Sequence, residues 1–208
     1  MEINRNNIFC FNERNEKASE GCPTGATEVY GREYEAEELF EILLQDEPYF
    51  KNSGGGITLS GGECHGQPDF CIAVARLLCE RGISVYVDTC GYAKRETFEK
   101  IIPYTDKFLY DMKAIDGAVH ERCTSRQNGS ILDNLRFLCA EGCKIEIRYP
   151  LVVGYNDTEC ENAAKFLSGL QRITKVKVLQ YHSFAASRYE ALGMVNTLPD
   201  TKTTADDV

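Results

Sequence analysis

Apolar residues follow two different periods along most of the chain. Between residues 34 and 45, helical spacing places Ala36, Leu39, Phe40 and Leu43 on one face, and the glutamates lie mostly on the others. Short runs of β-type residues then alternate with further helical segments. This alternation predicts right-handed βαβ crossovers and therefore a parallel sheet.

The predicted strands reach their carboxyl ends near residues 63, 88, 111, 148 and 182, one strand and one helix apart. Pro68 and Gly82 bound one of the intervening helices. Ser130 and Asp157 are expected to cap two later helices.

A polar side chain stands at the end of each predicted strand. These residues are Glu63, Asp88, Asp111 (with Lys113 two positions later), Arg148 and His182. The carboxyl ends of all strands meet on one face of a barrel, whereas an open doubly wound sheet collects them only at its switch point. Polar ends on five consecutive strands favour the barrel, with the open sheet as the alternative.

The two ends of the chain lack this periodicity. Residues 1–31 are polar and irregular, and the pattern is lost again after Gly193. We therefore predict an irregular segment at 1–31, a β/α domain at 32–193 and a loose tail at 194–208.

Residues 54–63, Gly-Gly-Gly-Ile-Thr-Leu-Ser-Gly-Gly-Glu, combine a short strand with an open turn. The glycines at 61 and 62 would let a ligand approach backbone N–H and C=O groups. The Glu63 carboxylate beside them can accept hydrogen bonds from an amino group. Taken alone, Gly54–Gly56 could equally form nothing more than a tight turn.

Composition and charge narrow the classes of protein. A chain of 208 residues with 43% apolar content fits one α/β domain. The net charge of −9 argues against a nucleic-acid-binding surface. No apolar run approaches the roughly 18 residues of a membrane span, and no signal peptide begins the chain, which predicts a cytoplasmic protein.

The ten cysteines of such a chain are expected to be free thiols rather than disulfides. Cys71, Cys79, Cys139 and Cys160 fall on or beside the apolar faces of predicted helices and are expected in the core. No CxxC pair occurs, so a zinc ribbon is not predicted.

Five motifs give the chain a resemblance to a known family. They are Ser-Gly-Gly-Gly-Ile-Thr-Leu-Ser-Gly-Gly-Glu at 53–63, Val-Asp-Thr-Cys-Gly-Tyr at 87–92, Leu-Tyr-Asp-Met-Lys at 109–113, Ile-Arg-Tyr-Pro-Leu-Val-Val-Gly-Tyr-Asn-Asp at 147–157 and Leu-Gln-Tyr-His at 179–182. In this order and spacing, over roughly residues 21–193, the chain resembles the radical S-adenosylmethionine (SAM) superfamily. Within it, the resemblance is to the activating enzymes of glycyl radical enzymes such as pyruvate formate-lyase.

The resemblance implies a fold and a reaction. The fold is a partial (β/α)6 TIM-like barrel of the radical SAM type, here without its first strand. These anaerobic oxidoreductases hold a [4Fe–4S] cluster in a CxxxCxxC loop and cleave SAM reductively to methionine and a 5′-deoxyadenosyl radical. The radical removes a hydrogen from one glycine of the partner enzyme, and a donor such as flavodoxin or ferredoxin supplies the electron.

The resemblance also implies roles for residues of this chain. Gly61, Gly62 and Glu63 would hold the amino group of SAM, and Lys113 would meet its carboxylate. Arg148 and His182 would line the pocket for SAM and the substrate glycine. A monovalent cation would lie among four further groups: Asp88, Thr89, Asp111 and the carbonyl of Leu109.

The charges of these residues can also be interpreted independently of the family resemblance. If Asp88 and Asp111 face the same end of the barrel, they repel each other unless a cation lies between them or one is protonated. Taken singly, both aspartates could be helix caps, and Lys113 and Arg148 could be solvated or ion-paired. His182 alone would more often be a structural histidine.

The chain departs from the family pattern in its cysteines. No CxxxCxxC occurs, and Cys22-Pro23 resembles only the closing Cys-Pro of a cluster motif in a ferredoxin-like insert, with Cys10 as a stray partner. Two cysteines cannot hold a four-thiolate cluster. We therefore expect an N-terminally truncated activating enzyme that is inactive as it stands, with residues 1–31 a remnant of the insert. The alternatives are a non-catalytic, degenerate SAM-barrel remnant and a radical SAM enzyme with another substrate.

A second departure follows Glu63. Cys64-His65 stands where the family usually has proline and an apolar residue. The pair could be neutral, or it could put a thiol near the amino-group site. His65 and His120 are expected in loops and are assigned no role.

Overall fold

The computed structural model describes residues 2–4, 28–30 and 33–181, together with Tyr189 and Val195. The chain divides into one unit at Glu35–Gln180 and a second unit formed by Met1–Tyr34 with Tyr181–Val208. In the second unit, β1 (Glu2–Asn4) and β2 (Glu28–Tyr30) form an antiparallel pair. The domain boundaries predicted at residues 31 and 193 stay predictions.

Helices and strands alternate through most of the unit Glu35–Gln180, with two successive helices before β3 and before β6. In chain order they are α1 (Ala36–Leu43), α2 (Glu47–Ser53), β3 (Gly56–Leu59), α3 (Pro68–Glu80), β4 (Ser84–Thr89), α4 (Arg95–Ile101), β5 (Lys107–Asp111), α5 (Gly117–Thr124), α6 (Gly129–Ala140), β6 (Ile145–Leu151), α7 (Cys160–Ser168) and β7 (Ile173–Gln180). Short 3₁₀ turns lie at Leu44–Asp46, Cys64–Gly66, Ile102–Tyr104 and Asp157–Glu159. None of the described helices combines the length and apolar character needed to cross a membrane.

The strands β3 to β7 form one parallel sheet in which neighbours in space are also neighbours in sequence. A doubly wound sheet would reverse its order at a switch point, and these five described strands show no such reversal. The predicted α/β class is therefore confirmed, and the consecutive order is that of a partial TIM-like barrel.

The two faces of the sheet differ in character because strand residues alternate between them. One face is fully buried under α3, α4 and α6, and its residues include Val85, Val87, Phe108, Tyr110, Ile145 and Ile147. The other face is half-buried and largely polar, as the contact between Lys107 and Glu146 at 3.7 Å shows. Asp88, Asp111 and Arg148 belong to this polar face and lie towards its carboxyl edge, although β6 continues beyond Arg148 to Leu151.

Local details of the sequence prediction need correction. The N-cap of α6 is Asn128 rather than Ser130, and Asp157 opens a 3₁₀ turn before α7 instead of capping it. Cys71 and Cys139 are buried as predicted, but Cys79 and Cys160 are exposed. Both exposed cysteines lie at helix ends, since Cys79 is the last residue but one of α3 and Cys160 is the first residue of α7.

Candidate functional site

Polar side chains from four neighbouring strands meet at the carboxyl edge of the sheet. We call this edge the rim and define it as residues 60–63, 88–90, 111–113 and 148. Hydrogen bonds join its segments, since Ser60 Oγ donates to Asp88 Oδ2 at 3.1 Å and Thr89 Oγ1 donates to Glu63 Oε1 at 2.7 Å. The rim thus brings together Glu63, Asp88, Asp111, Lys113 and Arg148, as expected for one site. His182 lies outside the described residues.

Donors from several neighbouring residues hold Glu63 as an anion. Its Oε1 accepts from Thr89 Oγ1 at 2.7 Å and from the His65 backbone N–H at 3.3 Å, and its Oε2 accepts from the Cys90 N–H at 2.8 Å. Burial opposes ionisation, but the contact of the His65 ring, whose Nδ1 lies 3.2 Å from Oε1, and the hydrogen bonds from Cys90 and Thr89 outweigh it and lower the pKa of Glu63 to about 2. The side chain is still 23% exposed, so this fixed charge can meet a cationic ligand group.

The turn that leads into Glu63 leaves open space beside the carboxylate. Gly61 has a φ of +128°, which L side chains rarely adopt. A Cβ at Gly61 or Gly62 would meet no atom within 4 Å. Backbone conformation, rather than crowding, therefore demands glycine at position 61, and both residues are exposed to an incoming ligand.

Side chains from β5 and α6 pack against the loop after β4. Gly91 has a φ of +78°, and a Cβ there would overlap the Tyr110 hydroxyl, which itself donates to the Ile131 carbonyl at 2.6 Å. Asn134 Nδ2 donates to the carbonyls of Gly91 and Ala93 at 3.0 and 2.9 Å. These contacts fix the loop from which the Cys90 N–H reaches Glu63.

Two ion pairs neutralise the acidic strand ends. Arg148 Nη1 donates to Asp88 Oδ2 at 2.8 Å, and Lys113 Nζ donates to Asp111 Oδ2 at 3.4 Å. The expected repulsion between Asp88 and Asp111 is therefore relieved by cationic side chains of the chain itself. The Thr89 hydroxyl is engaged with Glu63. The cation site among Asp88, Thr89, Leu109 and Asp111 stays a prediction.

Lys113 is positioned by Asn156, a residue to which the sequence analysis assigned no role. Asn156 is buried, and its Nδ2 donates to the carbonyls of Lys113 and Pro150, each at 2.7 Å. Its Oδ1 accepts from the Val152 N–H at 2.8 Å. Asn156 thus ties the turn after β5 to the end of β6. The sequence feature that could have indicated this role is the position of Asn156 in the motif at 147–157.

Cys64 and His65 are buried against Glu63 and are not part of an exposed loop. Hydrogen bonding with Cys71, burial and the Glu63 charge together hold the pKa of the Cys64 thiol well above its ordinary value. Burial and a hydrogen bond to Glu63 raise the pKa of Cys90 to about 11. His120 lies in α5 rather than in a loop. The sequence feature that could have indicated a role for Cys64 and His65 is their position directly after Glu63.

Comparison with known proteins agrees with this fold. Residues 4–167 match the sequence profile of the Radical SAM superfamily. Because that match covers most of the chain, the chain belongs to the radical SAM superfamily.

Several curated relatives are named as activating enzymes. The chain is 39% identical over 172 residues to the trans-4-hydroxy-L-proline dehydratase activating enzyme of Clostridioides difficile, covering 80% of this chain and 57% of the relative. It is 35% identical over 172 residues to the pyruvate formate-lyase-activating enzyme of Clostridium pasteurianum, covering 82% and 72%. A crystal structure of a domain of pyruvate-formate lyase-activating enzyme from Bacteroides vulgatus superposes with a TM-score of 0.58 at 31% identity, covering 62% of this chain and 83% of that one.

The chain spans a little over half the length of several of these relatives. The covered share is 57% for the Clostridioides difficile protein and 57% for the choline trimethylamine-lyase activating enzyme of Oleidesulfovibrio alaskensis, to which the chain is 37% identical over 82% of its length.

Proposed function

We propose that this chain is the SAM-binding β/α region of an activating enzyme that generates a glycyl radical on a partner enzyme by reductive cleavage of SAM. The observation that carries the proposal is the ionised Glu63 beside the open backbone of Gly61 and Gly62, with Lys113 and Arg148 on the same rim. Relatives named as activating enzymes support the reaction class.

Glu63 would accept hydrogen bonds from the SAM ammonium group. Its carboxylate is already oriented by Thr89 and Cys90, so little rearrangement is needed when the ligand arrives. Gly61 and Gly62 would allow the amino-acid end of SAM to lie against the backbone of the turn. The residues present therefore fit this end of SAM.

Lys113 would meet the SAM carboxylate by turning away from Asp111. Both side chains of that pair are 34% exposed, so exchanging one partner for another costs little free energy. A monovalent cation among Asp88, Thr89, Leu109 and Asp111 would then compensate the charge of Asp111. Arg148 would line the pocket for SAM and the substrate glycine. The role of His182, which lies outside the described residues, stays a prediction.

The cysteines of this chain do not fit a [4Fe–4S] cluster. The sequence contains no CxxxCxxC, and Cys139 and Cys143, which are four positions apart, lie on α6 and just after it. In the family the cluster supplies the electron for SAM cleavage. We assign none of the described residues to that step.

Titration of SAM into the purified chain by calorimetry tests the site. We expect binding that weakens at least about tenfold in Glu63→Gln, because a charge-assisted hydrogen bond is lost. Glu99→Gln, which changes an exposed glutamate of α4, is the matched control and should bind SAM like the wild type. The proposal fails if the wild-type chain does not bind SAM or if Glu63→Gln binds it equally well.

A second experiment tests the reaction class and the partner. The protein isolated from its own cells is reconstituted anaerobically with iron and sulfide and supplied with SAM, flavodoxin or ferredoxin, and a glycyl radical enzyme. Formation of 5′-deoxyadenosine and of a glycyl radical signal by electron paramagnetic resonance supports the proposal. If cluster-loaded protein does not cleave SAM, the non-catalytic interpretation replaces it.

A further inference from the structure

Glu63, Cys64 and His65 place three kinds of metal-binding atom in one cluster. Glu63 Oε1 lies 3.2 Å from His65 Nδ1 and 3.7 Å from Cys64 Sγ, and the three ligand atoms lie within 4.8 Å of one another. Cys64 and His65 are 5% and 8% exposed, whereas the Glu63 side chain is 23% exposed and gives access from the rim.

The two separations that involve Glu63 Oε1, 3.2 Å to His65 Nδ1 and 3.7 Å to Cys64 Sγ, are close to the edges of a tetrahedral zinc site. With Zn–N and Zn–O near 2.0 Å and Zn–S near 2.3 Å, the expected O···N edge is about 3.3 Å and the O···S edge about 3.5 Å. One sulfur, one imidazole nitrogen and one carboxylate oxygen form a donor set that suits zinc. Magnesium and calcium instead prefer oxygen ligands throughout.

We infer that Glu63, Cys64 and His65 bind one zinc ion and that zinc and SAM compete for this chain. Glu63 and His65 would bind through Oε1 and Nδ1. Cys64 would bind as the thiolate, its proton passing to water, so that nothing is oxidised or reduced. A water molecule would complete the tetrahedron.

The competition with SAM rests on the proposed function, whereas zinc binding itself does not. Glu63 cannot give the same oxygen lone pairs to a metal ion and to the SAM ammonium group. A bound dication would also repel that ammonium group. Zinc would therefore act as an inhibitor of SAM binding.

One feature of the cluster limits the affinity for zinc. His65 Nε2 has no hydrogen-bond partner among the described residues. Metal-bound imidazoles usually donate their second N–H to an acceptor, and loss of such a partner weakens metal binding by about 10- to 100-fold. We therefore expect a site that chelators empty readily and that free zinc refills.

Zinc affinity is measured by competition with a chromogenic chelator on the full chain under reducing conditions, without SAM. Each of the variants Glu63→Gln, Cys64→Ala and His65→Leu should weaken the affinity for one zinc equivalent at least about tenfold. Cys160→Ser, which removes an exposed cysteine of α7, is the matched control for adventitious thiol binding and should leave that equivalent intact. Equal zinc affinity in wild type and Cys64→Ala would overturn the inference.

A measurement on the wild type tests the site even if a variant of the buried residues Cys64 or His65 fails to fold. X-ray absorption of the chain loaded with one zinc equivalent should show four ligands, one of them sulfur near 2.3 Å and the others nitrogen or oxygen near 2.0 Å. A spectrum with two or more sulfur ligands, or with none, would assign the zinc to other residues and overturn the inference.

SAM titration over a series of free zinc concentrations tests the competition. We expect the apparent SAM affinity to fall in proportion to free zinc and to recover on addition of a chelator. Joint binding of zinc and SAM without mutual weakening would refute the competition. Absence of SAM binding in zinc-free protein would count against the proposed function and leave the zinc site to be judged by its own experiments.

Discussion

The guanidinium of Arg148 and the carboxylate of Asp88 lie 2.8 Å apart and join two strands that are not neighbours. Asp88 ends β4 and Arg148 lies in β6, so the ion pair crosses β5 on the polar face of the sheet. Asp111 of β5 lies directly beside Arg148 in register. The arginine therefore binds the rim together across three strands.

A double-mutant cycle with Asp88→Asn and Arg148→Met measures this connection. Because the two side chains are 19% and 31% exposed, we expect a coupling free energy of about 1 to 2 kcal/mol in urea unfolding. The pair Asp133–Arg136, also separated by 2.8 Å but 63% and 51% exposed, is the matched control and should couple by less than about 0.5 kcal/mol. Equal coupling in the two pairs would show that burial does not strengthen the rim.

Asn156→Ala should destabilise the fold and weaken SAM binding. The substitution leaves the buried carbonyls of Lys113 and Pro150 without this donor, and we expect a loss of about 2 to 3 kcal/mol in unfolding free energy. Asn162→Ala, which alters an exposed asparagine of α7, should cost less than about 1 kcal/mol. If Asn156→Ala binds SAM like the wild type, Lys113 does not depend on this support.

Gly91→Ala should be far more costly than Gly82→Ala. Both glycines have positive φ values, +78° and +76°, but a Cβ meets no atom within 4 Å at Gly82 and overlaps the Tyr110 hydroxyl at Gly91. We expect about 1 kcal/mol for Gly82→Ala from backbone strain, and about 3 kcal/mol or more for Gly91→Ala. Thermal and urea unfolding give both values, and a similar cost at the two sites would contradict the packing described for this loop.

Glu63 should stabilise the fold more strongly at neutral pH than in acid. Its pKa is 4.5 in the unfolded reference and about 2 in the folded chain. A carboxyl with a lowered folded pKa contributes stability above its unfolded pKa and loses that contribution as the pH falls through the folded value.

We therefore expect Glu63→Gln to lower the free energy of unfolding by about 1 to 2 kcal/mol at pH 7, with the difference shrinking between pH 4.5 and pH 2. Urea unfolding over this pH range measures the difference, with Glu99→Gln as the matched control. A difference that stays constant with pH would show that the hydrogen bonds to Glu63 do not favour its charged form.

The order of the strands and the polar residues near their carboxyl ends could be predicted from the sequence, because period-two burial and the strand-helix alternation fix which residues lie near that edge. The exact ends were wrong at two strands, since β3 ends at Leu59 rather than Glu63 and β6 at Leu151 rather than Arg148. Glu63, Asp88, Asp111 and Arg148 were found in this way. The prediction of helix caps failed at Ser130 and Asp157, since a 3₁₀ turn or an earlier start shifts the first helical residue without changing the apolar pattern.

The burial of His65 and Asn156 could not be predicted from the sequence. Each lies in or beside a short turn, and its contacts come from residues distant in sequence: Thr89 for His65 and Lys113 for Asn156. Polar residues in turns are usually exposed, so a local pattern gives no sign of such contacts. The same limit applies to the Arg148–Asp88 pair, which depends on the relative register of three strands.

A crystal structure of the chain grown with SAM tests the central claim most directly. The claim predicts the SAM ammonium nitrogen within about 3.2 Å of a Glu63 carboxylate oxygen, and the SAM carboxylate beside Lys113. A structure in which SAM binds with its amino-acid end away from Gly61–Glu63 would contradict it.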